Sequence, residues 1–224
     1  MSWNKLSYIL FEEKETLSFD LSDIKCSVTH PTFPIIFAGS KGQVLVIYSK
    51  TMAVIAVMEA GKRGIQKILI NNCGDRVIAI DRSGRFFMWR YNLVAKNFKP
   101  KLDIATLDAV DCSFISDNSR IIVASKKHLI LIDTLEGEQL AENFKNAPVL
   151  DEFSGITHIL YSPHLRYCIV VLGKKSKIIL FDIDNRMKLE TVDVQGGADI
   201  ISVERNSIGT IFAVGLGDGR VLVY

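Results

Sequence analysis

Cysteine pairs are missing: Cys26, Cys73, Cys112 and Cys168 lie far apart, with no Cys-x-x-Cys spacing among them. Each sits in or beside an apolar run, so the four read as buried free thiols rather than as a zinc site or a disulfide framework. That usage suits a reducing compartment. Long hydrophobic runs are missing too. The stretch Met52–Met58 is typical of the longest, far short of the roughly 20 residues that a membrane span needs. The opening Met1-Ser2-Trp3-Asn4-Lys5 has neither an apolar h-region nor a small-residue cleavage site, so no signal peptide is read there. These absences lead to the expectation of a cytoplasmic or nuclear protein. There is little excess charge: 27 Lys and Arg stand against 25 Asp and Glu, a formal net of +2. Wholesale nucleic-acid binding would show a strongly basic stripe, and none is evident. A hydrophobic content of 48% excludes a disordered chain.

What the chain does have is a repeat. Several segments follow one plan: a strand-like run, a polar turn, an apolar run, a Gly- or Lys-containing turn, and a further apolar run. In the first, Ile24-Lys25-Cys26-Ser27-Val28 alternates as a half-buried strand does. His30-Pro31-Thr32-Phe33-Pro34 is a turn, because each proline fixes φ and pushes its predecessor out of the helical region. Ile35–Gly39 reads as a fully buried strand, Ser40–Gln43 as a hairpin turn, Val44–Tyr48 as the return and Ala53–Val57 as a fourth strand. The order recurs in Ile65–Ile70, Arg76–Ile80 and Phe86–Trp89, with the turn Asp81–Arg85 before the last. It recurs again from Val110 through Asp133, from Ile156 through Asp182 and from Ile200 to Tyr224. The third runs end at Tyr48, Trp89, Ile132, Phe181 and Tyr224, roughly 40 to 50 residues apart. Four short strands at that period are the signature of an all-β, WD-repeat-type β-propeller. A sandwich or barrel is the alternative all-β reading, but neither has reason to repeat its turn chemistry. Helices are excluded, because β-branched Ile and Val dominate the apolar runs.

The whole of 1–224 reads as a single propeller domain, with about five visible blades at 24–60, 61–104, 105–148, 150–195 and 198–224. The last stops after its third strand. Residues 5–20 offer two more strands, Leu6–Leu10 and Thr16–Asp20. The second of these fits the vacant outer position of the last blade, where it would close the ring and remove an open edge. Five blades are few for this architecture, so the expectation leans towards part of a larger, seven-bladed ring.

The stretch His30-Pro31-Thr32-Phe33-Pro34-Ile35-Ile36-Phe37-Ala38-Gly39-Ser40-Lys41-Gly42 resembles a segment in the C-terminal WD-repeat region of DmX-like (rabconnectin alpha) proteins. Likeness continues in order through Asp81-Arg82-Ser83-Gly84, Ile132-Asp133-Thr134-Leu135, Gly173-Lys174-Lys175 and Gly217-Asp218-Gly219-Arg220-Val221. It covers most of the chain from His30 onward. The sequence departs from the pattern where Ile132 and Phe181 replace the Trp of the Trp-Asp pairs. The resemblance implies a scaffold that regulates assembly or activity of the vacuolar-type proton pump, peripheral on endosomal or vacuolar membranes.

No catalytic, cofactor or metal constellation emerges. His30 and His164 sit in turns beside Pro31 and Pro163, His128 in a Lys-Lys-His turn read as solvated, and His158 on a strand. None has zinc spacing. Gly173-Lys174-Lys175-Ser176 echoes a phosphate loop but lacks the upstream Gly and the following helix. Basic residues gather instead at Lys41, Lys62-Arg63, Arg82 and Arg85, Lys126-Lys127, and Lys174-Lys175-Lys177. Of these, Lys41, Arg82, Arg85, Lys126, Lys127, Lys174 and Lys175 fall in turns joining second to third strands, which in a propeller share one face. Lysine-rich hairpins keep edges soluble. The same residues would equally form a docking face for an acidic partner or anionic lipid headgroups. The expectation is therefore a non-catalytic protein-interaction scaffold without cofactor. A subunit of another trafficking or ubiquitin-ligase assembly is the alternative within that class. A propeller enzyme or lectin is the alternative outside it, and would need carboxylates or histidines converging on one place.

Overall fold

The computed structural model describes residues 24–94, 97–100, 102–105, 108–115, 120–125, 128–133, 149–152, 155–162, 166–185, 187–206 and 208–224. The strands expected within 5–20 lie outside these. Two compact units divide the chain, Met1–Thr106 and Leu107–Tyr224.

In the first unit, β1 (Cys26–Thr29), β2 (Ile35–Gly39), β3 (Lys41–Tyr48) and β4 (Ala53–Ile70) lie antiparallel in chain order. Expected as two strands with a break near residue 60, β4 is a single strand of 18 residues. Its first half pairs with β3, from Tyr48↔Ala53 to Gln43↔Glu59. Its second half opens the next sheet by pairing with β5 (Arg76–Asp81), from Ile65↔Asp81 to Ile70↔Val77. That sheet continues through β6 (Phe86–Arg90) to β8 (Leu102–Ile104), while β7 (Asn97–Phe98) pairs with β4 in parallel. The β2–β3 turn closes on this strand at Gly61. A Cβ on Gly42, whose φ is +80°, would stand 2.7 Å from the Gly61 carbonyl oxygen, so turn and strand touch backbone to backbone.

The described residues of the second unit form three sheets. The first is β9 (Ala109–Phe114), β10 (Arg120–Ser125), β11 (His128–Asp133) and β12 (Val149–Glu152). Because β12 pairs with β11, with His128 opposite Glu152, residues 150–152 belong to this sheet and not to the blade expected to start at 150. The second is β13 (His158–Ser162), β14 (Tyr167–Leu172), β15 (Lys177–Asp182) and β16 (Met187–Asp193). The third has β17 (Ile200–Arg205), β18 (Phe212–Leu216) and β19 (Val221–Val223).

Apolar runs dictate how these sheets stack. In the first unit, Phe37, Val46 and Met58 of one sheet share a buried cluster with Val77, Phe87 and Trp89 of the next. In the second, Ile122 and Leu129 pack with Ile159, Val170 and Phe181. The other face of that same middle sheet packs through Ile169, Val171 and Ile178 onto Val203, Val214 and Leu216. Polar side chains tie neighbouring first strands: the Asp111 carboxylate accepts from the Ile159 amide at 3.0 Å, and the Ser113 hydroxyl from the Tyr161 amide at 3.4 Å.

The turn after the first strand has one form across the repeats. The amide of its opening residue donates to the carbonyl five residues on, at His30→Ile35, Asn71→Arg76, Ile115→Arg120 and Asn206→Ile211. At three of the four the opening side chain also accepts from amides of the turn. Asn71 Oδ1 takes those of Asp75 and Arg76, Asn206 Oδ1 those of Gly209, Thr210 and Ile211, and His30 Nδ1 those of Thr32 and Phe33. With Nδ1 accepting, the proton resides on Nε2, which donates to the Gly74 carbonyl in the corresponding turn of the next sheet. Ser162 does the same in the second unit, its hydroxyl donating to the Gly209 carbonyl at 2.5 Å. Gly74 and Gly209 both have positive φ, +77° and +82°, a conformation that costs an L-residue about 1–2 kcal/mol.

Two outcomes follow from this latch. A Cβ on Gly74 would lie 2.2 Å from His30 Nε2, whereas one on Gly219, also at positive φ, meets nothing within 4 Å. Urea denaturation should show Gly219→Ala losing about 1–2 kcal/mol from backbone strain alone. Gly74→Ala should lose at least about twice as much, because the ring must leave and its turn amides go unpaired. Burial also holds the His30 imidazole below its ordinary pKa. The unfolded state therefore takes up a proton first, so stability is present above about pH 6.5 and is lost as pH falls through the folded value. Melting temperature should fall more steeply from pH 7 to pH 5 in the parent than in His30→Asn, which keeps an Asn71-like acceptor that does not titrate.

Candidate functional site

The β5–β6 turn is built around a buried acid. Asp81 is 1% exposed, and its Oδ1 accepts from the Ser83 amide at 2.7 Å, the Ser83 hydroxyl at 2.6 Å and the Arg85 amide at 3.0 Å. Gly84, at φ +81°, donates to the Asp81 carbonyl and completes the reversal. Aspartate folds such turns because its carboxylate substitutes for a backbone acceptor two residues on. The turn then fastens to the crossover strand, with the Arg82 amide donating to the Gly64 carbonyl at 3.0 Å.

Gly64 is also the partner of Lys41 at the head of β3. The Ile65 amide donates to the Ser40 carbonyl at 3.2 Å, so the β2–β3 turn grips the same short piece of β4. The Arg82 guanidinium lies over Gly64, where a Cβ would stand 3.5 Å from its Nε. Three chain segments thus meet at 61–64, and each carries cations. Lys41, Lys62, Arg63 and Arg82 are exposed, and among the described residues no carboxylate forms an ion pair with them.

Arg85 has a different fate from its neighbour Arg82. Its guanidinium makes a two-pronged ion pair with Asp103 of β8, at 2.5 and 2.6 Å, and stands 5.3 Å from the centre of the Phe87 ring. That contact pushes its pKa up. Arg85 is a clamp between strands rather than a free surface charge, contrary to its place among the expected docking residues.

In the second unit the β14–β15 turn is a short 3-10 turn, Gly173–Lys175, closed by Ser176 at φ +49°. A strand follows it, so no phosphate cradle forms at a helix. Thr157 Oγ1 accepts from the Gly173 amide at 3.1 Å and the Ser176 hydroxyl donates to the Ala198 carbonyl at 2.7 Å. Lys174 and Lys175 are exposed, and Lys177 pairs with Asp193 at 3.1 Å. The β18–β19 turn closes on itself. Asp218 binds Arg220 at 2.7 Å, and the guanidinium holds that carboxyl below the usual carboxylate range. Lys126 and Lys127 lie outside the described residues; the flanking Ser125 and His128 are hydrogen-bonded to each other.

The remaining candidates are structural. Cys112 and Cys168 are buried as expected, but Cys26 is half-buried and Cys73 exposed, because Cys73 sits in the polar turn Asn71–Asp75 and not in the strand before it. Burial pushes the Cys168 thiol well up. His128 opens β11, its Nδ1 buried, and is not the solvated loop residue that the Lys-Lys-His sequence suggests. His158 lies on β13 and its Nδ1 contacts Thr157 Oγ1 at 3.0 Å. His164 is outside the described residues. No group of three or more His, Cys, Asp or Glu residues is placed to hold a metal among the described residues, and none of their helices is long and apolar enough to cross a membrane.

No protein-family model matches the chain. Among solved structures, the Cps50 (Swd1) β-propeller domain of Myceliophteria thermophila matches with a TM-score of 0.71 at 12% identity, over 93% of this chain and 68% of that one. A chain of a mitotic checkpoint complex matches with a TM-score of 0.75 at 9% identity, over 93% of this chain and 65% of that one. The fold is a WD-repeat-type β-propeller. The chain spans about two thirds of the length of these two structures, and at such identities the likeness carries fold alone.

Arg85→Ala provides the check on the division between clamp and free cation. Loss of an exposed ion pair and of a cation–π contact should lower stability by about 1 kcal/mol in urea. Arg82→Ala, which removes no ion pair, should stay within about 0.5 kcal/mol of the parent.

Proposed function

We propose that the chain is a non-catalytic scaffold that holds other proteins, and that it regulates assembly of the vacuolar-type proton pump on endosomal or vacuolar membranes as DmX-like proteins do. The observation that carries the scaffold reading is the contrast between two sets of polar groups. Asp81, Asn71, Asn206, His30 and Ser162 are consumed in closing turns. Lys41, Lys62, Arg63 and Arg82 are held on the same frame and left to solvent. A catalytic site needs a base or nucleophile within reach of a reacting atom, and the polar groups described here already serve the backbone. Charged residues on rigid hairpins serve recognition instead, by steering and orienting a partner.

Support for the finer reading comes from the His30–Gly42 segment. The residues that carry the resemblance to DmX-like proteins also build the first inter-sheet latch and the first basic turn. The protein would act in the cytoplasm, peripheral to the membrane and without a cofactor. Affinity purification of the tagged chain tests it. Peripheral-sector subunits of the vacuolar-type pump should be enriched over a tagged, unrelated propeller, and their clean absence would rule out the pump assignment.

A further inference from the structure

We infer that the four unpaired cations around β4 residues 61–64 form one docking site for an extended acidic segment of a partner protein. The inference rests on the scaffold reading and adds to it a place and a ligand chemistry. Lys41 is paired with Gly64 across β3 and β4. Arg82 donates its amide to the Gly64 carbonyl and lays its guanidinium over the same residue. Lys62 and Arg63 are the two residues just before Gly64. Four positively charged residues from three segments are therefore anchored on one stretch of backbone.

Counter-charges within the site are already committed or few. Asp81 is buried under the turn that it organises, and Asp103 is neutralised by Arg85. Glu59 is the remaining exposed acid on this part of β4. Four cations against Asp81 and Glu59 leave the cluster net positive, which favours an anionic ligand.

The form of the ligand follows from what the site lacks. A single phosphate is best held by converging backbone amides. Here the Ser83 and Arg85 amides that would make such a nest are occupied by the Asp81 carboxylate. What is left is side-chain charge spread along a strand, which matches several carboxylates in a row. Membrane docking calls for apolar side chains to enter the lipid beside the charges. None of the large hydrophobic residues exposed among the described residues belongs to 40–43, 59–67 or 81–85. The site is suited to an acidic peptide rather than to a bilayer.

Fluorescence anisotropy with a labelled Glu-Ser repeat peptide, across a salt series, tests the assignment on the full chain. Reversing the four charges (K41E, K62E, R63E and R82E together) should weaken binding about tenfold or more at low salt and flatten the salt dependence. The neutral set K41Q, K62Q, R63Q and R82Q should weaken it less, and guards against misfolding, with circular dichroism and melting as the check on both. Reversal at Lys174 and Lys175 in the second unit should change affinity by less than about twofold. Equal losses from the two reversals would overturn the site, as would a parent protein that ignores the peptide. Binding to phosphatidylserine vesicles that the fourfold reversal abolishes, with no peptide binding, would overturn the ligand class. If pump subunits still co-purify with the fourfold variant, this site falls while the scaffold reading stands. A parent chain that captures neither the peptide nor pump subunits would overturn the site and the pump assignment together.

Discussion

A strand that is dry on both faces cannot exist in a single sheet, and the described residues contain three of one pattern. Strands β5, β10 and β14 each begin with a half-buried residue and continue with five buried ones. Burying an apolar side chain contributes about 1.5–3 kcal/mol, while ordering each backbone residue costs about 1–2 kcal/mol. A strand covered on alternate residues loses on balance, and covering both faces is what brings burial up to the cost of ordering. The second strands must therefore sit between two other layers. Stacking of sheet on sheet, seen in the clusters that join Phe37 with Trp89 and Val170 with Leu129, is the arrangement that satisfies them. Each unit of the repeat depends on its neighbour for its own core.

That dependence sets what the turns have to do. Stacked sheets slide unless their ends are fixed, and the ends here are fixed by hydrogen bonds from side chain to backbone. His30 reaches the Gly74 carbonyl and Ser162 reaches the Gly209 carbonyl, two unlike residues in one structural role. At the opposite ends, the Arg82 and Gly217 amides donate to the carbonyls of Gly64 and Asp199, each just before a first strand. The polar residues that a sequence presents as candidates for chemistry are thereby absorbed into the frame.

Much of this was legible in the sequence because it is written in local patterns. The apolar runs of Ile35–Gly39 and Tyr167–Leu172, the turn residues between them and the repeat period locate the first three strands of each repeat, whereas β7, β8, β12 and β16 carry too little apolar pattern to be read. Boundaries were misplaced where the signal was not local. The run Met58–Gly64 has the glycines and charges of a loop, yet it is extended, because two turns far away in sequence close on its backbone. Residues 150–152 end in two acids and fall by period into the following blade, although their partner is β11. The candidate site was legible by residue type alone. Arg82 and Arg85 look alike in sequence, and only the position of Asp103 on β8 separates the free cation from the clamped one. Cys73 was read as buried because apolar residues precede it, and the turn that begins at Asn71 carries it out to solvent.

The same frame governs how tightly such a surface can bind. An exposed ion pair returns only about 0.2–1 kcal/mol once its side chains are held in place, so four of them leave little to offset the ordering of a mobile backbone. Fixing Lys62 and Arg63 on one strand, Lys41 at the head of its neighbour and Arg82 on a turn bonded to it means that no backbone on this side has to be ordered when a partner arrives. The remaining balance is small and sensitive to salt. A surface of this kind recognises a partner quickly and releases it readily, so lasting attachment requires a second contact elsewhere on the partner, whose combined effect exceeds either alone.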